Sequence, residues 1–275
     1  MKALLILLLT FLTSISFANE IDQLQTAADV NQFLGEKVHK IYQKYPLIDI
    51  TDTTQTSFPR FFKIDFDNNG LTDLFINGNY LLLVLDRSNN KYDIHYFNNG
   101  FNRVSLLGVD FMNQSKKIII HQSRMSVTKP DTLIFRFGGF IEDKPQQLVK
   151  DFKLDTLRLR TYDCYGECPV FHMTIHKNRT VRYNAILFNN QEGMLWGEIP
   201  EKEFEELIDL LKYLNIPELN DKYAVNWTDD QPIYTDIIYN NTKKYIYDYG
   251  GIGTFGLRLL YKKMFNWRDT IDWKE

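Results

Sequence analysis

The chain has little cysteine, little net charge and few long apolar runs, and each shortage narrows what it can be. Only two of its 275 residues are cysteine, Cys164 and Cys168, too few for a disulfide-dense scaffold. A net charge of -3 offers no basic excess for a nucleic acid to find. No Pro-rich or Gly/Ser-rich stretch marks a linker, and no segment repeats at a convincing period. There is no Gly-x-Ser-x-Gly, no P-loop and no dinucleotide fingerprint, so nothing in the motifs requires catalysis.

The one conspicuous apolar run is at the start. Lys2 supplies a positive charge, Leu4 to Leu12 are largely apolar, and Ser16-Phe17-Ala18 places small residues where signal peptidase reads them. The run is too short to span a bilayer, which takes roughly 20 apolar residues. We therefore expect residues 1–18 to be a signal peptide cleaved before Asn19, with no membrane span afterwards. The residue just after that point is Asn19 rather than a cysteine, which argues against lipid attachment. The expected location is periplasmic or secreted.

In an oxidising compartment a lone, closely spaced cysteine pair is expected to be bridged, so Cys164–Cys168 reads as a structural disulfide holding a Gly166-centred turn. Redox centres of the thioredoxin kind use Cys-x-x-Cys before a helix, whereas Pro169 and an alternating segment, Val170 to His176, follow here. Cys164, Cys168, His172 and His176 recur at every fourth position, as zinc ligands on one helix would. On a strand, however, His172 and His176 lie about 13 Å apart at ~3.3 Å per residue, too far to share an ion.

Aromatic residues make up 15% of the chain, which favours sheets where rings pair across strands. Asp29 followed by Gln32 suggests a capped helix carrying Val30, Phe33, Leu34, Val38, Ile41, Tyr42 and Tyr45, stopped by Pro46. From Phe58 to about Ile141 the chain reads as strands joined by polar turns, including Asn98-Asn99-Gly100 and Gly138-Gly139. Strands follow at Leu157 to Thr161, Val170 to His176 and Val181 to Ile186. Pro200 starts a helix with Phe204, Leu207, Ile208, Leu211 and Leu214 on one face. Ile233 to Tyr239 and Lys244 to Tyr249 form a hairpin around Asn240-Asn241, and Thr254 caps a last helix. This order predicts an α+β protein of mainly antiparallel sheets. The unpatterned stretch Gln146 to Asp155 suggests a boundary near residue 150. That gives a β-rich domain with an N-terminal helix over 19–150 and a sheet covered by two helices over 151–275.

Two segments resemble known families. Asp163 to Phe171, with its Cys-x-Gly-x-Cys-Pro motif, resembles the opening of an uncharacterised bacterial secreted domain of unknown function. The similarity runs from about Leu154 to the C-terminus, departs from the usual hairpin turn at Asn178-Arg179, and carries no catalytic residue. Ile64 to Leu74 looks like the Asp-x-Asp-x-Asn-Gly-x-x-Asp loops of bacterial extracellular repeat modules. The resemblance implies calcium held by Asp65, Asp67, Asn69 and Asp73 with the Leu71 carbonyl, Gly70 allowing the turn. The segment is not an EF-hand, because position twelve is Ile76 rather than a bidentate Glu. A bare Asn-Gly turn decorated with solvated acids reads the same residues without an ion.

Asp229, Asp230 and Asp236 are candidate carboxylates for a hydrolase, without any accompanying motif. His39, His95 and His121 are scattered, and Gly250 to Gly253 before a helix offers a possible anion cradle without P-loop register. The leading expectation is an exported, non-enzymatic protein that binds a partner or ligand of the cell envelope. The alternatives are an exported hydrolase using Asp229, Asp230 and Asp236, or an inhibitor of an exported enzyme that inserts the Cys164–Cys168 loop.

Overall fold

A computed structural model describes residues 19–51, 57–97, 104–111, 116–122, 130–143 and 151–275. The expected signal peptide at 1–18 and the expected turn at Asn98-Asn99-Gly100 fall outside the described residues. The chain divides into two compact units, Met1–Ile94 and His95–Glu275.

The first unit opens with a 3-10 turn, Glu20–Gln23, and then α1, Ala27–Phe33. The single helix expected from Val30 to Tyr45 is interrupted. A π-helical turn at Leu34–Val38 breaks it, and α2 is only Ile41–Lys44. Gly35 sits in that turn, and a Cβ there would run into Gln43, so the break lets the chain fold back on itself. The cap is also one turn earlier than expected. Thr26 accepts the Asp29 N–H, and Asp29 answers by accepting the Thr26 N–H at 2.8 Å, forming a capping box. A four-stranded sheet follows in the order β1 (Phe61–Ile64), β2 (Asp73–Asn77), β3 (Leu81–Asp86) and β4 (Tyr92–Tyr96), with β1–β2 and β2–β3 antiparallel and the last two residues of β4 belonging to the second unit. Leu74, Ile76, Leu82 and Val84 on β2 and β3 bury against Val30, Phe33 and Leu34, giving this unit its own core.

The second unit holds two sheets. One is the meander β5 (Val104–Asp110), β6 (Lys117–Gln122), β7 (Asp131–Arg136) and β8 (Gly139–Glu142). The other is formed by β9 (Leu154–Thr161), β10 (Val170–His176), β11 (Thr180–Leu187), β12 (Gly193–Glu198), β13 (Lys222–Ala224), β14 (Pro232–Tyr239) and β15 (Thr242–Tyr249). Its spatial order is β12-β11-β10-β9-β14-β15-β13, antiparallel except for the β13–β15 pair. Two helices, α3 (Glu201–Tyr213) and α4 (Phe255–Thr270), complete the unit. The architecture is α+β with mainly antiparallel sheets, as the pattern of the sequence predicts.

One face of the large sheet is core. Leu157, Leu159, Phe171, Met173, Ile175, Val181, Tyr183, Ile237 and Ile246 are buried together with Leu207, Leu210 and Leu211 of α3 and Leu257, Leu260 and Met264 of α4. Each such side chain contributes about 1.5–3 kcal/mol on burial, so the helices are held by this face rather than by helical propensity.

The division between units does not fall near residue 150. Its physical reason is visible on β8, where Ile141 belongs to the core beneath α3 and α4. The Glu142 carboxylate also accepts the Phe255 N–H and, at 3.1 Å, the Gly256 N–H, closing the N-terminus of α4. The Tyr213 hydroxyl donates to the Glu142 carbonyl at 3.0 Å. Strand β8 therefore packs with the C-terminal elements inside one compact unit, His95–Glu275.

Candidate functional site

Two charged constellations stand out, one in each unit. The first is the predicted calcium loop between β1 and β2. Asp65, Asp67 and Asp73 each bring a carboxylate oxygen within 4.8 Å of the others. These are hard oxygen donors of the kind calcium takes. The loop also satisfies itself. Asp65 accepts the Asn69 N–H at 3.1 Å and the Gly70 N–H at 3.0 Å, while the Asn69 side chain accepts the Leu71 N–H at 2.7 Å. Buried Asp73 accepts the Phe66 N–H at 2.7 Å and the Asp86 N–H at 2.9 Å. Arg87 pairs with Asp67 and, at 2.7 Å, with Asp93. Burial, with the Asp67 and Asp65 charges adding to it, pushes the Asp73 carboxyl up to about 7, against the two backbone N–H groups that favour its ionised form.

The second constellation covers the outer face of the seven-stranded sheet, opposite the core. Side chains alternate along a strand, so Arg158 and Arg160 of β9 point away from Leu157 and Leu159. Pairing registers then lay the outward residues out in rows. In one row, Met194, Asn184, His172, Arg160, Tyr234 and Tyr247 are successive cross-strand neighbours from β12 to β15. In the next, Trp196, Arg182, Thr174, Arg158, Asp236 and Tyr245 follow the same path. Between the long arginines, the short Thr174 leaves a half-open depression of about 250 Å³, lined by Arg158, Arg160, His172, Thr174, Arg182, Asn184 and Met194.

The charges on this face do not balance. Its central carboxylate, Asp236, is buried and already meets Arg160 at 3.1 Å and Lys243 at 2.7 Å. Arg182 lies over the Trp196 ring at 5.5 Å and directs its Nε to the Met194 sulfur at 3.0 Å, a weak acceptor. Among the described residues, neither Arg158 nor Arg182 forms an ion pair. Burial first, and then the Arg160 guanidinium, hold the His172 imidazole below its ordinary range. Two exposed rings lie in the same row as Arg158 and Arg182, Trp196 opposite Arg182 at 49% accessible and Tyr245 two strands beyond Arg158 at 41%.

The other sequence candidates are placed as follows. Cys164 and Cys168 are at disulfide distance, with Cα atoms 5.8 Å apart, and Gly166 between them takes φ +146°, which suits glycine. His172 and His176 lie on β10, so the four-residue spacing builds no metal site. Asp230 accepts from the Trp227 indole at 2.5 Å and Asp229 from the Thr228 hydroxyl at 3.2 Å, both in the loop before β14. Asp236 lies four residues beyond Pro232, about 13 Å along the strand, so these three carboxylates are not gathered into one site. The N–H groups of Ile252 and Gly253 donate to buried Asp248, both at 2.9 Å, so those two donors are taken within the loop. His39 Nδ1 accepts the Ile41 N–H at 3.1 Å, His95 packs edge-on against Phe135, and His121 faces Ser105 across β5 and β6.

A family described as a domain of unknown function (DUF6438) matches residues 155–268. The C-terminal half thus contains an uncharacterised domain, and the match includes every residue lining the depression. No curated protein and no solved structure matches the chain significantly. No described helix is long and apolar enough to cross a membrane.

The outer face escaped the sequence reading because it is a property of register. Alternation assigns Arg158, Arg160 and Arg182 to outward positions, but only strand order brings β9, β10 and β11 side by side.

Proposed function

We propose that this is an exported, non-enzymatic binding protein of the cell envelope that takes an anionic ligand or partner on the outer face of its seven-stranded sheet. The observation that carries the reading is the pair Arg158 and Arg182, flanking Thr174 on an open face and without an ion pair among the described residues. Unneutralised arginines beside a sheltered depression attract and orient anions, and exposed rings next to them add contact area. The Asp65–Asp73 loop serves as scaffold in this reading, and calcium is the ion that its carboxylates would take.

A photo-crosslinking residue in place of Tyr245, compared with one in place of exposed Glu205 on α3, tests the reading in cells. A discrete adduct from position 245 only, lost when Arg158 and Arg182 are both replaced by Gln, is the expected result. Equal labelling from both positions, or from neither, overturns it. The mature N-terminus is expected at Asn19, read from the mass of the exported protein.

One observation favours a second reading, an inhibitor of an exported enzyme. Tyr165 stands 89% exposed on the Cys164–Cys168 loop, whose backbone is tied down by the Tyr165 N–H donating to the Asp229 carbonyl at 3.0 Å. Under that reading Tyr165→Ala, and not the arginine pair, abolishes the adduct.

A further inference from the structure

We infer that the depression on the outer sheet face is a phosphoryl-binding site, in which Arg158, Arg160, Arg182, Thr174 and Asn184 converge on one tetrahedral oxyanion. The inference rests on the binding role proposed above and names the ligand class.

Donor placement carries it. Arg158, Thr174 and Arg182 are consecutive cross-strand neighbours, so the two arginine Cα atoms stand about 10 Å apart at a strand spacing of ~4.8 Å. Arg158, Thr174 and Arg182 all line the depression, with the Arg182 guanidinium resting over the Trp196 ring on its β12 side. Arg160 sits two residues along β9 from Arg158, and Asn184 two residues along β11 from Arg182. Donors therefore approach from three adjacent strands and from two successive rows.

This arrangement suits a ligand with oxygens in several directions. A planar carboxylate presents its two oxygens in one plane, and one bidentate arginine can engage both of them. A phosphoryl group presents three, at a charge of about -1.5 to -2 near neutral pH. Two arginines without a carboxylate partner among the described residues match that charge. Arg160 keeps its bond to Asp236 at 3.1 Å, which fixes its position beside the depression. Met194 and the Trp196 ring wall the β12 side and hold Arg182 against the sheet.

The same phosphoryl chemistry is offered by free phosphate and by a lipid headgroup, and the test separates the two. Calorimetric titration of the full mature protein with inorganic phosphate is expected to saturate at one site. Arg158→Gln and Arg182→Gln should each weaken binding at least tenfold, whereas Lys222→Gln, on the same sheet beside Tyr247, should not. Acetate should compete poorly. In a second arm, flotation with phosphatidylcholine vesicles containing phosphatidic acid, displaced by inorganic phosphate, assigns the source to a membrane. Phosphate binding without flotation assigns it to a soluble ligand. Absence of saturable phosphate binding in both arms, an affinity unchanged in both arginine variants, or equal competition by acetate overturns the inference. If the crosslinked adduct from position 245 persists in that case, the face is still a contact surface and only the ligand class is wrong.

Discussion

The Asp65–Asp73 loop and the Arg158–Arg182 face are both clusters of like charge, yet they resolve that charge in opposite ways. In the loop, carboxylates accept backbone N–H groups, and Arg87 supplies the opposite charge from within the same unit. On the sheet face, one carboxylate serves Arg160 and Lys243 while Arg158 and Arg182 pair with none among the described residues. The loop is thus built to be complete and the face to be completed. A conspicuous motif marks the constellation that already satisfies itself, and no motif marks the one with unmet charge.

The largest effect expected from breaking this contrast comes from Asp73→Ala. It strips the acceptor from two buried N–H groups, Phe66 and Asp86, each costing about 1–3 kcal/mol when left unsatisfied. Urea unfolding should show a loss of about 2–6 kcal/mol, with Asp73→Asn milder because it retains one acceptor. A loss well under 1 kcal/mol would mean that the loop does not depend on its internal bonds. Calcium sharpens the same point. If it displaces Arg87 from Asp67, it should stabilise by about 2.7 kcal/mol at 100 times its dissociation constant. Thermal melts in calcium and in chelator should then separate for the wild type and coincide for Asp67→Ala. Coincident wild-type melts would leave Arg87 as the cation of the loop.

How much of this was legible follows from the range of the interactions. Alternation and caps are local, so β9 to β11, the Asn240-Asn241 hairpin turn and Thr254 at the start of α4 were all readable. Thr254 accepts the Leu257 N–H at 3.2 Å, and both asparagines take the positive φ that a tight hairpin turn needs. At Asn178-Arg179 it is Arg179 that takes the positive φ of 71°, a position where glycine would be less strained. The boundary at 150 was misplaced because the tie is long-range: Glu142 closes a helix that begins more than a hundred residues later. Strand β12 was missed because Gly193 and Gly197 interrupt its pattern. Without β12, neither Trp196 nor Met194 could be placed beside the arginines. The aspartate loop was readable for the converse reason, since all its proposed donors lie within nine residues.

Intermediate effects come from the disulfide. Alkylation without reduction should find no free thiol on the protein, and two alkylated thiols would remove the bridge. A closed loop this short confines the unfolded chain little, so Cys164→Ser with Cys168→Ser should cost at most about 2 kcal/mol. A smaller effect separates face from loop more directly. Replacing both Arg158 and Arg182 by Gln should change unfolding stability by no more than about 0.5 kcal/mol, because neither has an ion pair among the described residues to lose. A loss comparable with that of Asp73→Ala would make the arginines structural and the contrast false.

The smallest expected effect is on pH dependence through His172. Burial and Arg160 hold its imidazole below the ordinary 6.5, so the unfolded chain takes up this proton at a higher pH than the fold does. The stability contributed by keeping His172 neutral is complete above that unfolded value. It is lost as pH falls through 6.5 toward the lower folded value. Urea midpoints measured at about pH 7.5 and about pH 5.5 should therefore fall more for the wild type than for His172→Gln, which has no proton to gain. An oxyanion in the depression would stabilise the imidazolium beside it, so saturating phosphate should shrink that difference. A difference unchanged by phosphate would place the anion away from His172, and with it away from the row that joins Arg160 to Asn184.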